Sequence, residues 1–97
     1  MPTYVVLCKL TDQGVRNIRT LPQVARENDA QAKAAGVEVI GRYYTQGAVD
    51  LVMILRATDE QTAAAVLLAG AAQGNFHTET LRAFTLEEME GIVAKLP

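Results

Sequence analysis

Six side chains carry most of the chemistry this 97-residue chain offers: Arg42, Tyr44, Asp50, His77, Glu79 and Arg82. A tyrosine hydroxyl beside a carboxylate can hold a polar ligand or move a proton. Tyr44 and Asp50 would do so if a turn at Gly47 brings them together. Pairing residues whose numbers sum to 94 sets Glu38 against Arg56, Ile40 against Ile54, Arg42 against Val52 and Tyr44 against Asp50. Even-numbered residues of both strands then share a face, with Arg42, Tyr44 and Asp50 clustered at its turn end. The plainer reading of this cluster is a hydrogen bond that pins the hairpin. His77 is the only histidine, and it shares a strand face with Glu79. Such a pair is the minimum for acid–base work near neutral pH; the plainer reading is a half-exposed strand histidine. Arg82 lies on the opposite face between Phe76 and Phe84, where it can clamp an anion or sit in an ion pair at the sheet edge.

Other chemistries are excluded more easily than these are chosen. One cysteine and one histidine make neither an internal disulfide nor a metal cage, so no metal is expected. Cys8, in an apolar strand with no cation adjacent in sequence, reads as a small buried hydrophobe. There is no GxGxxG, phosphate-cradling loop, GxSxG or HExxH, and no cofactor is expected. Nine Lys+Arg against eleven Asp+Glu give a formal charge of −2, the wrong sign for a general nucleic-acid or anionic-membrane binder. Arg16, Arg19, Arg26 and Lys33, interrupted by Glu27 and Asp29, read as a solvated helix face. The longest apolar run, Ala63–Ala72, is too short to span a bilayer. The opening MPTYVVLCKL has no basic leader, so the expected location is cytoplasmic.

The elements that must position these groups follow from periodicity. Thr3–Leu10 reads as a strand, and Asp12 as the cap of a short helical segment. Pro22–Ala35 reads as a longer helix, with Pro in its first turn and Gly36 as its stop. Val37–Gln46 and Val49–Ala57 read as strands joined through Gln46-Gly47-Ala48. Thr58-Asp59-Glu60-Gln61 resembles a capping box before the alanine-rich helix 63–72, and Asn75–Phe84 alternates as a fourth strand. Thr85-Leu86-Glu87-Glu88 is a second capping box before a short terminal helix. The order β-α-β-β-α-β predicts an α+β, ferredoxin-like sandwich over residues 1–97 as a single domain, with the first and third strands central.

Alternation along those central strands has a consequence. Val5 and Leu7 point one way; Tyr4, Val6 and Cys8 point the other. Leu51, Met53 and Leu55 likewise oppose Val52 and Ile54. Both faces are apolar, and two helices cover only one. Each large apolar side chain left in water forfeits about 1.5–3 kcal/mol. Four of them approach ~10 kcal/mol, comparable with the whole stability of a small domain. A second copy packed sheet to sheet is the expected cover. The competing cover is the terminal helix 85–96 folded back.

The chain resembles the GYD-domain family of small bacterial proteins. The resemblance rests on Thr11-x-x-Gly14, the run Gly41-Arg42-Tyr43-Tyr44-Thr45-Gln46-Gly47, Asp50, Asp59-Glu60, Gly74-Asn75 and Thr80-Leu81-Arg82-Ala83-Phe84-Thr85. Together these span nearly the whole chain. The family's Gly-x-Tyr-Asp segment reads Gly47-Ala48-Val49-Asp50 here, so its tyrosine position carries no hydroxyl. The resemblance implies a ferredoxin-like fold assembled as a dimeric α+β barrel. It brings no assigned reaction.

The expectation for function is a small cytoplasmic homo-oligomer that binds a small metabolite or regulates a partner without catalysis. Its pocket would lie between the sheet and the second copy, with Arg42, Tyr44, Gly47, Asp50, His77 and Arg82 as candidate ligand contacts. The alternative is a cofactor-independent enzyme, monooxygenase- or isomerase-like, which would place His77 or Asp50 in a closed pocket. A purely structural assembly subunit would have no pocket at all.

Overall fold

Strand β1, Thr3–Leu10, alternates between residues closed under helices and residues facing the other way, and it lies second from one edge of a four-stranded antiparallel sheet. The computed structural model describes residues 1–97. After β1 come a short helix α1 (Asp12–Arg16), a 3-10 turn (Ile18–Thr20) and helix α2 (Leu21–Ala35). Strands β2 (Val37–Tyr44) and β3 (Leu51–Ala57), helix α3 (Glu60–Ala72), strand β4 (Phe76–Ala83) and helix α4 (Leu86–Val93) complete the chain. The strand order β2-β3-β1-β4 puts β1 and β3 in the centre, as the ferredoxin-like pattern requires.

The local signals act largely where the sequence put them. Pro22 opens α2, and Gly36 ends it at a φ of 99°, a left-handed conformation that glycine adopts without steric cost. Thr85 and Glu88 form the reciprocal capping box of α4. Two caps differ from expectation. Thr11, not Asp12, caps α1, its hydroxyl accepting from the Gly14 N–H at 3.0 Å. At α3 the expected box reduces to a single cap, Asp59, whose carboxylate accepts from the Thr62 N–H and hydroxyl.

Helices α2 and α3 cover one face of the sheet. The core lies there: Val6, Cys8, Val37, Leu51, Leu55, Ala57 and Ala63 are each at most 2% exposed. The other face carries Val5, Leu7, Val52 and Ile54 from the central strands, with Tyr43 and Leu81 on the flanking ones. No element of the chain covers it. Helix α4 makes no extended contact with any other element, and its stripe Leu86, Met89 and Val93 is exposed. The molecule is accordingly elongated, 51 × 31 × 18 Å. No helix is long and apolar enough to cross a membrane.

The β2–β3 register departs from the expected one at a single residue. From Val37↔Ala57 to Val39↔Leu55 the partner numbers sum to 94; beyond a bulge at Ile40 the pairs become Gly41↔Ile54, Arg42↔Met53, Tyr43↔Val52 and Tyr44↔Leu51. The expected pairs Ile40/Ile54, Arg42/Val52 and Tyr44/Asp50 therefore do not form. One inserted residue reverses the facing of everything that follows it. Glycine suits the site: a Cβ at Gly41 would meet the Tyr43 ring at 3.2 Å and Ile54 Cδ1 at 3.4 Å.

Candidate functional site

The bulge turns Arg42 and Tyr44 onto the helix-covered face, where they meet a cavity of about 100 Å³ between α2, α3 and the sheet. Its wall is apolar, with Val39, Leu51, Met53, Leu67 and Phe76 prominent. Short side chains create the space: Ala25 and Ala32 on α2, Gly70 and Ala71 on α3, all of them lining it. Polar side chains join this largely apolar lining. Asn28 on α2 and Gln73 just after α3 exchange a reciprocal amide pair, Asn28 Nδ2 donating to Gln73 Oε1 at 3.1 Å and Gln73 Nε2 to Asn28 Oδ1 at 2.9 Å.

Arg42 reaches across to α2. Its Nε donates to Asp29 Oδ2 at 3.4 Å and its Nη2 to Asp29 Oδ1 at 2.5 Å. Burial works against the Arg42 charge, but hydrogen bonding and attraction from Asp29, helped by the Tyr44 phenol beside it, raise its pKa above the ordinary guanidinium value. Cys8 lines the same cavity. Burial pushes its thiol up to about 11, with Arg42 pulling weakly the other way, so it stays protonated at neutral pH and is no nucleophile.

The other expected site residues are elsewhere. Asp50 sits beyond the turn, and its Oδ2 accepts from the Leu10 N–H at 2.8 Å while its own N–H donates to the Cys8 carbonyl at 2.8 Å. It continues the β1–β3 ladder past the end of β3 with a side chain in place of a carbonyl, and it has no hydrogen bond to Tyr44. Gly47 is exposed in the turn at a φ of 145°. His77 is exposed on the uncovered face opposite Lys9, with Glu79 two residues along. Arg82 lies on the helix side of β4. Its guanidinium stacks 4.5 Å from the Phe84 ring centre and 5.6 Å from that of Tyr4, and donates to the Thr3 and Ala83 carbonyls. Neither Asp50 nor His77 lines the cavity, which is the placement the enzyme reading asked for. The cavity itself is on the helix side of the sheet, not the side expected to meet a second copy.

Two distant motifs meet beside the cavity. Thr11 donates its hydroxyl to the Gly74 carbonyl at 2.6 Å and its N–H to the Asn75 carbonyl at 3.0 Å. Gln13 Nε2 donates to the Gln73 carbonyl and to Asn75 Oδ1. Gly14 packs so closely that a Cβ there would lie 2.1 Å from the Asn75 carbonyl oxygen. Thr11-x-x-Gly14 and Gly74-Asn75 thus form one latch between the start of α1 and the entry to β4.

The model of the GYD domain matches residues 4–93. The chain belongs to the GYD-domain family. This GYD domain is 33% identical over 90 residues to a Thermus thermophilus protein named glutamine synthetase and cystathionine beta-lyase binding protein, covering 92% of this chain and 95% of that one. It also superposes on the crystal structure of MtbAldR with a TM-score of 0.69 at 15% identity. That match covers 87% of this chain but 52% of the other, and speaks for the ferredoxin-like fold alone.

Sequence reading missed Asn28, Asp29 and Gln73 as members of the site. A signal for the first two existed. Leu21, Ala25 and Ala32 repeat at helical spacing along α2, and Asn28 and Asp29 fall within that buried stripe. An amide and a carboxylate within an apolar stripe need partners, and Gln73 and Arg42 supply them.

Proposed function

We propose that this GYD domain is a non-catalytic binding protein. It self-associates through the uncovered sheet face and docks on an enzyme of amino-acid metabolism of the kind named for its Thermus relative. The observation that carries this reading is the unequal treatment of the sheet. One face is covered by two helices; the other leaves Val5, Leu7, Val52 and Ile54 half-buried with no helix packed over them, which supports a second copy as the cover. The relative named as a binding protein aligns over nearly its whole length, which supports carrying that role across. The candidate catalytic groups also support binding over turnover. Arg42 is engaged by Asp29, Asp50 by the Leu10 N–H, and Arg82 by two carbonyls and two rings. The single buried thiol suits a reduced cytoplasm.

The test is direct. Purified protein is titrated into purified glutamine synthetase and, separately, cystathionine β-lyase from the same cell, by sedimentation velocity and by enzyme rate. A complex with at least one enzyme, with a Kd of about 1 μM or tighter, is expected. Independent sedimentation of all three proteins would remove enzyme docking from the account and leave self-association standing.

A further inference from the structure

The cavity under α2 and α3 has a cation on a wall where an apolar residue would be less costly. Arg42 stands among Cys8, Leu51 and Met53, and it is there because of the extra residue at Ile40. Bulges recur where a strand must re-aim a side chain. Asp29 takes up two of the guanidinium's five N–H donors, Nε–H and one on Nη2. The Tyr44 hydroxyl is a second hydrogen-bonding neighbour of the guanidinium, so the edge it shares with Tyr44 keeps N–H donors that Asp29 does not take up.

We propose that this cavity binds a short aliphatic monocarboxylate. The carboxylate sits on the free edge of Arg42 and the Tyr44 hydroxyl, and the alkyl tail enters the apolar space floored by Ala25, Ala32 and Ala71. Size sets the tail. A cavity of about 150 Å³ takes benzene, so the 100 Å³ here suits a branched alkyl group of roughly four carbons. Geometry sets the head group, because a guanidinium fork presents paired donors to a planar carboxylate. Asp29 holds the fork in place and offers its second role to any ligand that also carries an ammonium group. An α-amino acid with an aliphatic side chain and the corresponding simple acid share this chemistry. This site goes beyond the docking role and is tested without any partner enzyme.

Uniformly 15N-labelled protein is titrated with L-leucine, 4-methylpentanoate and isopentylamine to about 10 mM, read by amide shifts. At least one of the two carboxylates is expected to shift amides at Ala25, Arg42 and Gly70, with isopentylamine leaving them unmoved. Binding of leucine alone assigns the amino acid as the source, through Asp29; binding of both acids assigns the carboxylate alone. Arg42→Met should weaken binding at least tenfold. Ala25→Leu, which fills the cavity from its wall, should abolish binding while its amide spectrum stays that of a folded protein. The proposal is overturned if neither acid shifts the lining amides, if the amine binds as well as the acids, or if Ala25→Leu binds like the parent protein.

Discussion

The two faces of the sheet are built from the same strands and solve different problems. On the helix side, the large residues of β1 and β3 pack within the chain, and at the cavity Asn28 pairs with Gln73 and Arg42 with Asp29. On the other side, adjacent residues of the same strands carry equally apolar side chains that the chain leaves only half-buried. Burial energy is collected within one molecule on the first face; on the second, under the proposed self-association, it is left to a second copy. Alternation on that account encodes a fold and an interface in a single strand, one residue apart.

Leu55 and Ile54 are neighbours on β3 that point to opposite faces, and they give the sharpest contrast. Leu55→Ala empties a site that is 2% exposed and should cost about 2–5 kcal/mol in urea denaturation, whatever the protein concentration. Ile54→Ala should cost less in dilute protein, with a deficit that grows as concentration rises, because on the proposed account its burial is completed by another chain. Equal, concentration-independent losses would erase the distinction between the faces. Next in size, Asp50→Ala removes the acceptor of the Leu10 N–H and should cost about 1.5–3 kcal/mol, with faster hydrogen exchange at that amide. Gly14→Ala drives a methyl group into the Asn75 carbonyl and should cost about 1–3 kcal/mol by opening the latch. Gly14→Ala should leave self-association unchanged, since Gly14 packs against Asn75 and not on the sheet face.

The smallest expected effect is with pH. Hydrogen bonds from the Thr62 N–H and hydroxyl hold the Asp59 carboxyl below its ordinary range, and the Thr85 N–H does the same for Glu88. A carboxyl whose folded pKa is depressed contributes above its unfolded value, and that contribution is lost as pH falls through the folded one. Stability should therefore decline slightly below about pH 4. Asp59→Asn should flatten part of that decline in a thermal melt series; an unchanged pH profile would show that this cap has no linked proton.

The sheet order, its central strands and its two apolar faces were legible because alternation survives any small error in strand ends. The turn-end cluster was not. A single inserted residue at Ile40 leaves no mark on local composition beyond Gly41, yet it moves Arg42 and Tyr44 to the opposite face. Asp50 is bound by Leu10, forty residues away, a contact no spacing rule reaches. Thr11 and Asp12 are both good caps by type. The fit of Gly14 against Asn75 decides between them, and that too is a long-range contact. The cavity was foreshadowed only by alanines, whose small volume reads equally as close helix packing.

A native mass spectrum of the protein beside its Ile54→Lys variant, recorded across a hundredfold range of concentration, tests the uncovered face most directly. The parent protein should appear as a dimer or higher even oligomer. The variant, with a charge set in the centre of that face, should appear as a folded monomer. A parent protein that stays monomeric throughout, or a variant that assembles as the parent does, would contradict the claim that this face is completed by a second copy.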